Sequence, residues 1–116
     1  MWSQLPEEAV VAVAFIQEWK LEGDDRTTTN YDAVQQRLGA SANPPEGGIF
    51  HTAGFDEQAG VFRIFDVWET REQAERFLAE HVQPIIEQGP NAFPNPDTFT
   101  MPTRDGFYEL HHVVGG

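Results

Sequence analysis

Apolar residues form two neighbouring strand-like runs near the middle of the chain. The first run spans residues 48–53 and the second spans residues 61–68, and the segment between them has glycine at both ends. Two such runs joined by a loop that contains glycine are typical of a β-hairpin. We therefore predict two antiparallel strands here.

Side chains alternate between the two faces of a strand, so the hairpin also predicts which residues share a face. Closing the strands on residues 54–60 sets His51 roughly opposite Asp66. One face then carries Ile49, His51, Ile64, Asp66 and Trp68, and the other carries Arg63, Phe65 and Val67. Both faces hold large apolar side chains, so we expect the sheet to be covered on both sides.

An amphipathic helix follows the hairpin. Thr70 and Gln73 have the spacing of a capping box, which predicts that the helix begins near Thr70. Beyond it, steps of three and four residues give one apolar stripe: Ala74, Phe77, Leu78, His81, Val82 and Ile85. Pro84 cannot donate a backbone hydrogen bond to Glu80, so we expect a kink or a restart there, and an end to the helix at residues 89–90.

The other elements are placed around this unit. Residues 9–16, continuing toward residue 20, predict a strand buried on both faces, and Thr29 or Asn30 can cap a short helix that ends at Gly39. Residues 107–114 predict a last strand. The order β, α, β, β, α, β favours one α+β domain over residues 1–116, a ferredoxin-like βαββαβ fold in which a four-stranded antiparallel sheet carries both helices on one face.

The helix-free face of this sheet would expose Arg63, Phe65 and Val67. Such a patch is too apolar for a monomer in water, so we predict a homodimer formed through that face.

Composition narrows the function classes. The 116 residues include 7 basic and 19 acidic side chains, and the net charge of -12 disfavours binding to nucleic acids and to anionic membranes. The chain has no cysteine, which excludes disulfides and thiolate chemistry. The first residues lack the basic region of a signal peptide, and residues 9–16 are too short to span a bilayer, so a cytoplasmic protein is expected.

Residues 61–74, a histidine in the following helix and the closing Tyr108-Glu109-Leu110-His111 run resemble the dimeric α/β-barrel superfamily, and within it antibiotic-biosynthesis-monooxygenase-like domains. The resemblance covers residues 10–114, and its compact motif is Val67-Trp68-Glu69-Thr70. It implies a homodimer whose sheets pack face to face, with a ligand pocket between each sheet and its own helices. Members include cofactor-independent oxygenases of polycyclic aromatics, haem-degrading monooxygenases and small proteins without an assigned activity.

His51 and Asp66 are the first candidates for chemistry. A carboxylate that accepts from one imidazole nitrogen orients the ring and makes the other nitrogen a better base, which would suit proton abstraction from a phenol. A structural histidine within the sheet is the alternative. Trp68 matches a pocket tryptophan of the resembled monooxygenases, and with Phe77 it could form aromatic walls or simply pack the core.

The remaining candidates are weaker. His81 lies on the predicted buried stripe and could face Trp68 as a proton donor, although a lone histidine there is more often a core residue. Tyr108 and His112 share a face of the last strand and could border the pocket. His111 and His112 point to opposite faces, so they cannot close on one metal ion.

No cofactor is indicated by the sequence. An iron site of His51, His81 and Asp66 lacks a recognised ligand spacing, and haem propionates usually pair with basic residues, which are few in this chain. Three hypotheses remain: a cofactor-independent oxygenase of an electron-rich aromatic with residues 90–106 as a lid, a haem-binding or haem-degrading relative, and a dimeric module that binds a small apolar or aromatic ligand, or only assembles, without turnover.

Overall fold

The strands of the chain join in one antiparallel sheet. A computed structural model describes residues 11–39 and 43–114, without the side chain of Thr98. The strands are β1 (Val13–Lys20), β2 (Gly48–Asp56), β3 (Val61–Trp68) and β4 (Arg104–Glu109). Their order across the sheet is β2-β3-β1-β4. This order and the antiparallel pairing confirm the ferredoxin-like α+β fold.

The predicted hairpin is confirmed residue by residue. In the β2–β3 pairing His51 is the partner of Asp66, and a register shift between Gly48 and Phe50 interrupts the ladder near its end. In the β1–β3 pairing Val13 is the partner of Trp68 and Phe15 is the partner of Asp66. The side chains that face the helices along β3 are therefore Phe62, Ile64, Asp66 and Trp68.

The first and the last strand differ from their predicted bounds. β4 begins at Arg104 and ends at Glu109, so the predicted strand over residues 107–114 is wrong at both ends. Pairing stops at Glu109 because its partner, Val13, is the first residue of β1. Residues 9 and 10 of the predicted first strand lie outside the described residues.

Helix α1 (Thr29–Leu38) crosses the sheet first and ends at Gly39, whose φ of 63° is left-handed as predicted. Thr28, rather than the predicted Thr29 or Asn30, occupies the N-cap position of α1, and its side chain makes no cap hydrogen bond. No residue of α1 is buried.

The second crossing consists of α2 (Arg71–Phe77), a π-helical turn (Leu78–Val82) and α3 (Gln83–Ile86). The predicted cap is present, since the Thr70 hydroxyl accepts from the Gln73 backbone N–H at 3.0 Å. The predicted restart at Pro84 is also present. A proline ring crowds the carbonyl four residues earlier, and the π-turn, closed by the Gln83 N–H on the Leu78 carbonyl, relieves that conflict.

The buried core lies at the α2 end of the sheet. Val13, Phe15, Trp68 and Ala74 form it, with Phe77, Leu78 and Phe107 packed around them. Two short 3₁₀ turns, Pro90–Ala92 and Pro96–Thr98, follow α3 and bring Phe93 into a buried position. No helix in the described ranges is long and apolar enough to cross a membrane.

The helix-free face is less apolar than predicted. Val67 is only 5% exposed, because β3 is an interior strand and Val67 lies between Phe50 of β2 and Ala14 of β1. Arg63 is half-buried and pairs with Glu18 at 2.6 Å and with Asp56 at 2.8 Å. Phe65 is half-buried, and Phe50 and Tyr108 are the exposed large apolar residues of this face.

The cap of α2 can be tested by substitution. Thr70→Ala removes the acceptor for the Gln73 N–H, so we expect the free energy of unfolding, measured by urea denaturation, to fall by about 1 kcal/mol. Thr28→Ala is the comparison, since Thr28 holds the same position at α1 and its hydroxyl binds the exposed Asp32 side chain instead of a backbone N–H. Equal losses for the two variants would show that the Thr70 bond is not what stabilises α2.

Candidate functional site

A cavity of about 830 Å³ lies between the helices and the sheet. Its walls are mostly aromatic, and they include Phe15, Trp19, Phe62, Trp68, Phe77 and Phe93. The sheet supplies the floor, α1 and the second helical crossing supply the sides, and part of the segment before β4 closes one edge. Flat apolar walls of this kind suit a planar apolar or aromatic ligand.

A chain of three polar side chains lies in the cavity wall. The His51 Nδ1 atom is 2.6 Å from the Asp66 carboxylate, and the His51 Nε2 atom is 2.5 Å from the Tyr31 hydroxyl. Tyr31 comes from α1, His51 from β2 and Asp66 from β3. The rings of Tyr31 and His51 are nearly parallel, with centroids 6.0 Å apart.

The carboxylate fixes the tautomer of the neutral imidazole. Asp66 is an acceptor, so Nδ1 carries the hydrogen and donates it. The Nε2 atom then accepts from the Tyr31 hydroxyl. This order gives one direction of donation, from Tyr31 to His51 to Asp66, and it leaves Nε2 as the basic atom of the neutral chain.

The pKa values of His51 and Tyr31 are both raised. The hydrogen bond with Asp66 raises the pKa of His51 above its ordinary value of 6.5, against the opposing effect of burial. Partial burial raises the pKa of Tyr31, and the negative charges of Asp66 and Asp32 raise it further. His51 is thus a stronger base than a free imidazole, whereas a free tyrosinate at Tyr31 is disfavoured.

Trp68 and Phe77 line the cavity as predicted, and they also belong to the core. Trp68 is 4% exposed, and its ring centroid lies 5.5 Å from that of Phe77. The indole N–H of Trp68 is buried and has no hydrogen-bond partner among the described residues. A buried donor without a partner is costly, so a ligand oxygen within reach would be favoured there.

His81 does not reach the cavity. It is exposed, and its ring lies 5.3 Å from that of Phe77. The reason is the π-turn. In such a turn, two residues five positions apart lie on the same side of the helix, whereas in an α-helix the spacing is about four. Val82, five residues after Phe77, therefore lines the cavity where a regular helix would place His81.

Tyr108 and His112 do not line the cavity either. Tyr108 is the partner of Ala14 on the helix-free face and is 48% exposed. His111 and His112 follow the end of β4 and are exposed, so the argument about opposite faces of a strand does not apply to them.

Tyr31 is the residue of the site that sequence reasoning missed. Its spacing from Val34 and Leu38 predicts a place on the buried edge of α1, but nothing in this local pattern indicates a contact with β2. The signal available in the sequence is a tyrosine on the helix that must cross over the predicted His51–Asp66 pair.

Within the described ranges no group of three or more histidine, aspartate and glutamate side chains is arranged to hold a metal ion.

The segment predicted as a lid, residues 90–106, is partly packed against the rest of the molecule. Phe93 is buried, and Phe99 stacks on it with ring centroids 4.7 Å apart. Residues 104–106 belong to β4 instead.

Two solved structures are similar to this chain. A conserved protein from Methanosarcina mazei Go1 superposes with a TM-score of 0.58 at 10% identity, over 85% of this chain and 92% of the other. A protein from Chloroflexus aurantiacus J-10-fl, provisionally named an antibiotic biosynthesis monooxygenase, gives a TM-score of 0.52 at 18% identity, over 90% and 99%. At these identities the similarity concerns the fold, and it confirms the predicted resemblance at that level.

No family model matches the sequence. No curated protein matches it either.

The effect of Asp66 on His51 can be measured directly. Asp66→Asn removes the main cause of the raised pKa, so the midpoint of the His51 titration, followed by NMR of the ring protons, should move down toward 6.5. Asp32→Asn is the control, because Asp32 lies on α1 beside Tyr31 and does not contact His51. An unchanged midpoint in Asp66→Asn would contradict the pairing.

Proposed function

We propose that the protein is a cofactor-independent monooxygenase that acts on an electron-rich aromatic substrate, as a cytoplasmic homodimer. The observation that carries the proposal is the Tyr31–His51–Asp66 chain in the wall of an aromatic cavity. The similarity to the Chloroflexus aurantiacus protein is consistent with it. A histidine that acts as a general base must lie in the wall of the substrate cavity, and its ring must be oriented and more basic than a free imidazole. His51 meets these three conditions.

The cavity supports a planar substrate of moderate size. Binding sites for small molecules enclose roughly 300–1,000 Å³, which includes the volume found here. The charged residues that line it are mostly acidic: Glu22, Asp25, Asp66 and Asp97, against Lys20. Together with the net charge of -12, they favour neutral or cationic aromatics over anionic ones.

The proposed proton transfer runs through Tyr31. The tyrosine hydroxyl takes the proton of a phenolic substrate while it gives its own proton to His51 Nε2. The raised pKa of Tyr31 disfavours a free tyrosinate, so the two transfers are concerted. Asp66 stabilises the imidazolium that results.

Dioxygen is the oxidant in the proposed reaction. The phenolate reduces it, and a ring CH₂ group of the keto tautomer becomes C=O. One oxygen atom of dioxygen enters that carbonyl and the other leaves as water. The four electrons come from the same carbon, so atoms and electrons balance without another reductant.

The haem alternative has less support from the site. Lys20 is the single basic side chain among the described residues that line the cavity, and both ring nitrogens of His51 already have partners. These residues do not fit haem, whose propionates usually pair with basic groups. Titration with haemin is the direct test, and a coordinated Soret band would favour a haem-binding function instead.

The base can be tested by removing it. His51→Ala should lower dioxygen consumption with phenols and quinols by about a hundredfold or more, because a general base contributes at least that much. Tyr31→Phe should lower it too, since the relay is broken. His81→Ala is the matched control, as this exposed histidine lies outside the cavity.

Equal losses in His51→Ala and His81→Ala would contradict the assignment of the base. No turnover by the parent protein across the substrate panel would favour a binding or assembly module.

The proposed dimer forms through the helix-free face, around Phe50, Phe65 and Tyr108. A stable interface buries about 800 Å² per partner. Light scattering at micromolar concentration should give the mass of two chains, and Phe65→Asp should yield monomer or aggregate, because it places an unpaired charge in the interface. Val114→Asp, at an exposed apolar residue outside the sheet, is the control. The mass of one chain for the parent protein would rule out this dimer.

A further inference from the structure

Helix α1 covers the cavity without being anchored by burial. None of its residues is buried, although Tyr31, Val34 and Leu38 line the cavity beneath it. Most helices are held in place by an apolar face packed against a core. The position of α1 must therefore depend to an unusual degree on polar contacts, and these contacts are concentrated at its two ends.

The contacts at the first turn join α1 to the segment before β4. The Asn30 side-chain amide donates to the Asn95 backbone carbonyl at 2.9 Å, and the Asn95 backbone N–H donates to the Asn30 side-chain oxygen at 2.9 Å. The Asn95 side chain also donates to the Thr29 hydroxyl. The two Asn30 bonds are part-buried and satisfy a backbone donor and a backbone acceptor at once, as a neighbouring strand would.

The contacts at the last turn involve Arg37. Its guanidinium donates to the Ala92 carbonyl and to the Gln88 side chain, and it lies 5.3 Å from the centre of the Phe93 ring. The first turn, however, is the one next to the site, because Tyr31 follows Asn30 directly.

We propose that the Asn30–Asn95 contact is a positioning element, which holds the first turn of α1 so that the Tyr31 hydroxyl stays in hydrogen-bond contact with His51. In the context of the proposed oxygenase, it would set the proton relay. Asn30 and Asn95 touch none of the atoms of that relay, and both act through Tyr31.

The link between the two contacts is geometric. A single hydrogen bond between Tyr31 and His51 across an open cavity cannot by itself fix a helix that buries no residue. The reciprocal pair at Asn30 restrains the residue before Tyr31 in two directions. Loss of that pair leaves the tyrosine ring to compete with water for His51.

The experiment compares variants by the titration of His51 in the ligand-free protein, followed by NMR. Asp66 from β3 and Tyr31 from α1 face the ring, and Asp32 lies beside Tyr31. Tyr31→Phe removes the Nε2 partner of the neutral and of the charged ring, so the midpoint of the titration should move away from that of the parent protein. Asn30→Ala should move the midpoint in the same direction as Tyr31→Phe, and the Asn30→Ala/Tyr31→Phe double variant should match Tyr31→Phe alone, because Asn30 acts through Tyr31.

Asn95→Ala is the matched control. It removes the bonds of the Asn95 side chain, including the one to Thr29, but keeps the backbone atoms that bind Asn30, so the His51 midpoint should stay close to that of the parent protein. Asn30→Leu is a second, nearly isosteric variant in case Asn30→Ala fails to fold. It loses both bonds to Asn95, adds no charge near His51, and should move the midpoint in the same direction as Asn30→Ala.

Three results would overturn the proposal. They are a Tyr31→Phe midpoint equal to that of the parent protein, an unchanged midpoint in both Asn30 variants, and additive shifts in the double variant. The titration needs no turnover. A protein inactive toward aromatics can therefore still support the positioning role. Titration results that contradict the positioning role do not bear on the oxygenase proposal, which is tested by dioxygen consumption.

Discussion

The pairing register between β2 and β3 is the constraint on which the site depends. It makes His51 the partner of Asp66 on the face that the helices cover. A shift of one residue in either strand would turn one of the two side chains to the opposite face. The hairpin loop of residues 57–60 fixes this register. Two strands adjacent in the sequence thus supply His51 and the carboxylate that orients its ring.

The two helical crossings treat that side of the sheet differently. The crossing that begins at Thr70 packs Ala74 and Phe77 onto Val13, Phe15 and Trp68, which forms the core. The α1 crossing leaves the cavity open and is tied down by polar contacts at its ends. The packed core and the cavity therefore lie at different ends of the sheet. Close packing stabilises the core end, and hydrogen bonds hold α1 over the cavity at the other end.

The elements that the sequence predicted well are those with a local signal. The hairpin, the Thr70 cap, the restart at Pro84 and the glycine that ends α1 each follow from residues within a few positions of one another. The errors arise where a partner or an irregular turn decides. The end of β4 is set by the start of β1, the exposure of Val67 by its neighbours on two other strands, and the exposure of His81 by a π-turn that shifts the helical period.

The sequence by itself determined the fold class and the pairing of His51 with Asp66, because alternation in a hairpin is a local rule. Only the tertiary structure decided that Tyr31 completes the chain, that Tyr108 faces away from the cavity, and that Asn95 fastens α1. These contacts join residues 20 to 65 positions apart, or depend on how helices lie over a sheet. The direction of such packing follows from the sum of many weak contacts, which no short run of residues encodes.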